Sequence, residues 1–252
     1  MLASRFECKY YIPLPVADMI RDYISPFVSL DAYSAARPRR RYPICSLYLD
    51  DSNLTLHEAT MQGRRNRFKL RIRHYSDRPE APVFLEIKRR IDGTIRKQRA
   101  RVSRSDAIGL ISGEMRSADL FTGEDLEAAD NFLVLSRRID AHPILKVKYE
   151  REAYDAVGEP VRITFDWNVS HALTQSYDLA MHDGTWQGTP TDGLIMEIKF
   201  TDRMPAWVHR LVQSFGLKRR SIPKYVLSVL HAGSAEENRA GLAERMTRTR
   251  EF

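Results

Sequence analysis

The sequence predicts an α+β, β-rich fold: an antiparallel β-barrel or a comparable antiparallel sheet, with flanking helices. Three observations carry this. Short runs alternating apolar and polar residues recur along the chain. Helical periodicity is confined to scattered segments. Strand and helix do not alternate in the regular way that a doubly wound sheet requires. A chain of 252 residues with 43% hydrophobic content can bury a core as one domain, and large barrels reach this length undivided.

Strands are expected at Arg5–Tyr11, Ile44–Asp50, Arg67–Tyr75, Val83–Arg89, Thr94–Val102, Ile144–Ala153, Val161–Trp167 and Leu194–Phe200, where apolar side chains fall on every second residue. Pro15–Val28 reads as a helix instead, with Val16, Met19, Ile20, Tyr23 and Ile24 on one side. Ser103 and Ser105 offer caps for a short helix through Leu110 and Ile111. Further helices are expected at Gly123–Ile139, Pro205–Phe215 and Pro223–Ala232. The Ser-, Arg-, Gly- and Asp-rich stretches Ala32–Arg41 and Ser170–Gly193 read as loops. Residues 1–233 are expected to form a single domain, and 234–252 a charged C-terminal tail.

Basic residues outnumber acidic ones 40 to 33, for a formal charge of +7, which favours an anionic partner. Cys8 and Cys45 are too few for a disulfide framework or a zinc site. Residues 1–11 lack the apolar centre of a signal peptide. Nothing approaches the roughly 20 apolar residues of a membrane helix, so a cytoplasmic location without a transmembrane segment is expected.

The second face of the strands is the informative one. Period two puts Arg67, Lys69, Arg71 and Arg73 on one face, opposite Phe68, Leu70 and Ile72. Lys97, Arg99 and Arg101 form another one-sided row. Arg5, Glu7 and Lys9 share a face, as do Glu86 and Lys88, Arg162, Thr164 and Asp166, and Glu197 and Lys199. A single such strand is usually half-buried with its charges in water. Like charges stacked along a sheet repel, so the repeated pattern calls for an anionic counterpart. If the sheet closes, these faces converge on one lumen, where Arg and Lys would grip phosphate oxygens far more strongly than a flat surface can.

The same strands carry a resemblance. Arg-Phe-Glu-Cys-Lys-Tyr at 5–10, Ser-Leu-Tyr-Leu-Asp at 46–50, Lys-Leu-Arg-Ile-Arg-His-Tyr at 69–75 and Phe-Leu-Glu-Ile-Lys at 84–88 come first. Lys-Tyr-Glu-Arg-Glu-Ala-Tyr at 148–154, Val-Arg-Ile-Thr-Phe-Asp at 161–166, Met-Glu-Ile-Lys-Phe at 196–200 and Pro-Lys-Tyr at 223–225 follow in order. With these segments the chain resembles the polyphosphate polymerase (VTC, vacuolar transporter chaperone) domain, a branch of the CYTH-like triphosphate tunnel metalloenzymes. The resemblance spans roughly residues 5–230. It implies an antiparallel β-barrel tunnel and an ATP:polyphosphate phosphotransferase that adds the γ-phosphoryl group of ATP to a growing chain. It also implies phosphate-binding roles for Lys9, Arg71, Arg73, Lys88, Arg99, Arg151, Arg162 and Lys224. Arg71, Arg73, Lys88 and Lys199 would hold the nucleotide phosphates, and Glu197 a Mn²⁺ or Mg²⁺ ion. ATP and polyphosphate are the implied partners.

Two departures bear on the activity. Hydrolytic relatives carry Glu-x-Glu-x-Lys in the first strand, whereas this chain has Arg5-x-Glu7-x-Lys9, which disfavours paired metal ligands. The polymerase branch often has Ser where this chain has Pro223, and proline removes both a hydroxyl and a backbone N–H. The alternatives are therefore a triphosphatase or nucleoside triphosphate hydrolase on the same fold, and a non-catalytic module binding polyphosphate or inositol polyphosphates. Nucleic acid is disfavoured, because Glu7, Glu86 and Glu197 interrupt the basic rows. The histidines show no metal spacing, no P-loop is present, and Arg39-Arg40-Arg41 reads as a solvated loop or an anion guide.

Overall fold

A computed structural model of the chain describes residues 5–92, 94–182 and 185–233; the tail expected at 234–252 lies outside them. A single ten-stranded sheet dominates. Its strands are β1 (Arg5–Ile12), β2 (Val28–Leu30), β3 (Tyr42–Asp50), β4 (Arg67–His74), β5 (Val83–Ile91), β6 (Thr94–Val102), β7 (His142–Ala156), β8 (Val161–Leu173), β9 (Gln187–Gly188) and β10 (Leu194–Thr201). They run in the order β1-β10-β8-β7-β3-β4-β5-β6, with β2 paired to β7 and β9 to β8. Every pairing is antiparallel. The sheet is strongly curved but not closed: no backbone ladder joins β6 to β1 among the described residues. The two ends of the sheet meet through side chains instead, Lys88 Nζ of β5 lying 3.0 Å from Glu7 Oε2 of β1.

The convex face is apolar, as alternation dictates. Leu70, Ile72, Leu85 and Ile87 pack under α4 (Arg104–Ser112) and α5 (Gly123–Arg138). Cys8, Tyr10, Ile163, Phe165, Met196 and Ile198 pack under α1 (Leu14–Ile24) and α6 (Ala206–Ser214). Ser103 caps α4, its hydroxyl accepting from Asp106 N, while Ser105 lies within the helix. Both cysteines are buried and free. No helix of the described residues is long and apolar enough to cross a membrane.

The structure corrects the boundaries in several places. The first helix ends at Ile24, and Val28 enters β2. Its buried stripe is Ala17, Ile20 and Ile24, whereas Met19 is exposed. The loop expected at Ala32–Arg41 contains α2 (Ala32–Ala35), capped by Asp31. Strand β8 runs on to Leu173, and β9 lies within the other expected loop. Helix α3 (Thr55–Met61) has no counterpart in the sequence reading. Gly193 opens β10 at φ +116°, where a Cβ would sit 2.3 Å from the Ile12 carbonyl oxygen, so only glycine fits.

Residues 224–233 form a helix that packs on the concave side, Ile222, Tyr225 and Val226 meeting Ile44, Tyr48, Tyr149 and Ile195. Asp50 fastens this helix to the sheet. Its carboxylate accepts from Leu56 N and His57 N at 2.9 Å and from the Tyr225 hydroxyl at 2.8 Å. One buried side chain thus starts α3 and holds the segment that carries Lys224. Asp50→Ala would leave these donors without a partner, and we expect a loss of about 3 kcal/mol of stability. Urea denaturation measures this; a loss below about 1 kcal/mol would contradict the assignment.

Candidate functional site

The charged faces line the concave side, and the cations gather around buried carboxylates. Glu86 is fully buried on β5. Arg71 Nη2 of β4 lies 2.6 Å from its Oε2, and Lys97 Nζ of β6 lies 2.8 Å from its Oε1. Arg99 approaches to 3.3 Å and Arg73 to 3.8 Å. Hydroxyl groups orient the two β4 arginines: Arg71 donates to Tyr48 at 3.1 Å, and Arg73 to Ser46 at 3.1 Å and Tyr149 at 3.4 Å. Arg99 stacks on Phe84 and donates to Tyr75. Burial presses the Glu86 carboxyl upward, but Arg71, Arg73 and Lys97 outweigh it and hold the group far below the ordinary carboxylate range.

A second cluster joins β10, β8, β7, β1 and the helix at 224–233. Glu197 has Lys9 at 3.1 Å and Lys224 at 3.2 Å on Oε1, and Lys199 at 3.5 Å and Arg151 at 3.6 Å on Oε2. Beside it, Asp166 accepts a two-pronged bond from Arg151, at 2.6 and 2.8 Å, and lies 2.5 Å from Lys224 Nζ. Glu7 completes the set through Lys88 at 3.0 Å and Lys9 at 3.3 Å. Burial and Glu197 both raise the Glu7 carboxyl, yet Lys9, Lys88 and Lys199 bring it down to about 2.

Of the residues singled out by resemblance, the structure brings Lys9, Arg71, Arg73, Lys88, Arg99, Arg151, Lys199, Lys224 and Glu197 into these clusters. Arg162 stands apart, held by Asp155 at 2.7 Å and Asp31 at 2.5 Å. Arg41 is not simply a solvated loop residue, since its guanidinium lies 3.6 Å from the centre of the Trp167 ring. Among the described residues no three His, Cys, Asp or Glu side chains converge as a metal cage. Asp166, Tyr48 and Tyr149 received no role from the sequence. Period-two parity was the available signal for Tyr48, which shares a face with Ser46.

Three lysines lose their protons early. Burial, then Lys9, Lys88, Arg71 and Arg67, lowers Lys69 to about 7. Burial lowers Lys88 to about 8 despite Glu7, and Lys97 to about 8 despite Glu86. Burial is the largest cause at all three, and at Lys69 the neighbouring cations add to it with no carboxylate among the described residues to oppose them.

A family model for the VTC domain matches residues 4–232. Among solved structures, the chain is similar to the PH1819 protein of Pyrococcus horikoshii OT3, at 16% identity over 90% of this chain and 99% of that one, with a TM-score of 0.47. It is also similar to a candidate adenylate cyclase of Bacillus halodurans, at 13% identity over 88% and 96% of the two chains, with a TM-score of 0.48. No curated protein matches the sequence.

The lysine shifts have a measurable consequence. The folded protein releases these protons from about pH 7 to 8, whereas the unfolded chain keeps them to ~10.4. Above pH 7 the unfolded state thus binds more protons, and this contribution makes stability rise with pH up to about 10. Thermal unfolding of Lys69→Gln beside the parent across this window reads it out. The rise should shrink in the variant, and an unchanged slope would contradict the shift at Lys69.

Proposed function

Because the chain belongs to the VTC domain family, we propose that it is a polyphosphate polymerase, transferring the γ-phosphoryl group of ATP to the end of a polyphosphate chain. The observation that carries this reading is the concave surface itself, where arginines and lysines from six strands and the 224–233 helix surround three buried carboxylates, Glu86, Asp166 and Glu197, and the half-buried Glu7. Phosphoryl transfer needs alignment and charge neutralisation more than covalent help from the protein, and these side chains provide both.

Arg71 and Arg73, oriented by Tyr48, Ser46 and Tyr149, would hold γ-phosphate oxygens with their planar forks. Lys88 and Lys199 would hold the remaining nucleotide phosphates. Lys9, Arg99, Arg151 and Lys224 would neutralise the acceptor end, with Arg162 at the margin. A terminal oxygen of the chain attacks the γ-phosphorus, the bond to the β,γ-bridging oxygen breaks, and ADP leaves. The attacking oxygen is already anionic, so no general base is required.

Glu197 already has Lys9, Lys224, Lys199 and Arg151 within 3.6 Å, so a divalent cation would fit here only with phosphate oxygens supplying most of its shell. Glu197 offers one carboxylate, the usual way in which Mg²⁺ is held when phosphate oxygens complete its shell. When bound, Mn²⁺ or Mg²⁺ would withdraw charge from the transferred group. Arg5 in place of a second acidic residue supports transfer to a phosphate chain over two-metal hydrolysis.

Purified protein incubated with γ-labelled ATP and Mn²⁺ or Mg²⁺ should give a ladder of labelled polyphosphate. Arg71→Ala should reduce its rate by roughly a hundredfold or more, and Glu197→Ala should abolish its dependence on metal. Labelled orthophosphate without a ladder would overturn the polymerase in favour of a hydrolase.

A further inference from the structure

The seam of the sheet holds a cavity walled in part by Lys9, Lys88 and Ser221, which belongs to the phosphate-binding surface already described. Another cavity, of about 510 Å³, opens where β4 begins and β5 finishes, between these strands and the end of α5. Arg67, Phe68, Arg89 and Arg90 stand between the two cavities and border both. Period two turns Phe68, Arg89 and Ile91 to the convex face, away from Lys69, Arg71 and Lys88. Leu135 and Arg138 reach the same space from the last turn of α5, and Ile139 from the residue after it. The volume falls in the range of roughly 300–1,000 Å³ typical of ligand sites.

The lining of this convex cavity divides by chemistry. Phe68, Leu135 and Ile139 form an apolar floor continuous with the core under α5. Arg67, Arg89, Arg90 and Arg138 stand round it, and among the described residues no carboxylate lines the cavity. Arg89, Arg90 and Arg138 make no side-chain hydrogen bond or ion pair with a described residue. The strand register concentrates the charge: Arg67 lies opposite Arg90, and Arg89 opposite Arg96 of β6. Like charges directly across a ladder repel, and burial together with Arg90 lowers the Arg67 guanidinium. Inside the channel, by contrast, the crowded cations rest on Glu86, Glu197 or Asp166. The carbonyl end of α5 attracts a cation and accounts for Arg138, but not for three arginines carried on strands.

We propose that the convex cavity binds an amphipathic organic anion, its apolar chain or ring lying on the floor and its carboxylate or phosphate head held chiefly by Arg138 and Arg89. Either head presents the paired oxygens that a guanidinium fork holds. The floor sets this site apart from the channel. A polyphosphate has no apolar part and would leave Phe68, Leu135 and Ile139 bare, whereas an uncharged chain would leave the arginines without counter-charge. The inference does not depend on the polymerase reading, because Arg89, Arg138, Leu135 and Ile139 take no part in the clusters around Glu86 and Glu197.

Calorimetric titration with decanoate, decyl phosphate and 1-decanol, each below the concentration at which it self-associates, tests the site. The two anions should bind, the tighter of them identifying the head group, and 1-decanol should bind at least about tenfold more weakly than that anion. Arg138→Gln and Arg89→Gln should each weaken the anions about tenfold, while Arg71→Ala should leave them within roughly twofold of the parent. Methyl resonances of Ile91, Leu135 and Ile139 should move when decanoate is added to the parent, a readout that needs no variant to fold. Absence of binding by either anion, equal affinity for 1-decanol, or a loss confined to Arg71→Ala would overturn the proposal. So would methyl shifts at Ile222 of the seam in place of those three residues.

Discussion

The pairing of a few buried carboxylates with a larger number of cations is the constraint on which the rest of this structure depends. Arg71, Arg73, Lys97 and Arg99 could not share one concave surface without Glu86 between them, nor could Lys9, Lys199, Arg151 and Lys224 without Glu197 and Asp166. Buried ion pairs are weak sources of net stability, because desolvation offsets most of the attraction. The fold's stability must come instead from apolar packing, both on the convex face where the strands' other sides pack under helices and against the 224–233 helix on the concave side. Alternation separates the two tasks residue by residue: the odd positions of β4 build the channel while the even ones build the core.

That division yields preorganisation. The arginines are held by hydroxyls and carboxylates before any ligand arrives, so little reorganisation accompanies phosphate binding. Because the cations exceed the carboxylates, incoming phosphate oxygens add counter-charge without displacing the pairs that hold the wall together. Of the lysines that burial lowers most, Lys69, Lys88 and Lys97, only Lys69 has no carboxylate beside it among the described residues.

Much of this was legible because side-chain period two is a strong local signal. All the expected strands were found, Thr94–Val102 with the same limits, and the charged faces converge as alternation requires. Elements set by long-range contacts were not legible. Helix α3 starts at a left-handed Leu54 and depends on Asp50, which is itself held by Tyr225 across 175 residues. Parity placed Glu86 and Lys88 on one face but could not show that Lys88 reaches across the seam to Glu7, while Glu86 answers to β4 and β6. Pairing between the two ends of a curved sheet depends on its curvature, which no local window contains.

The open seam follows from the same chemistry. Closing β6 onto β1 through backbone bonds would satisfy both edges, yet the link across the seam is an ion pair between side chains of β5 and β1. Edge strands rich in Arg and Lys resist pairing with other chains, and β6 carries Arg96, Lys97, Arg99 and Arg101. A seam joined by Lys88 and Glu7 can part locally without breaking a ladder. Pro223 fits this geometry: its carbonyl accepts from Leu227 N at the start of the helix, where a missing N–H costs the helix nothing. Ser221 lies on the wall of the seam cavity two residues earlier, so the segment keeps a hydroxyl next to the basic surface even though the serine at 223 is absent. The departure from the family pattern thus removes a hydroxyl and a backbone N–H from an approach that Lys9, Lys88, Arg219 and Arg220 continue to supply with positive charge.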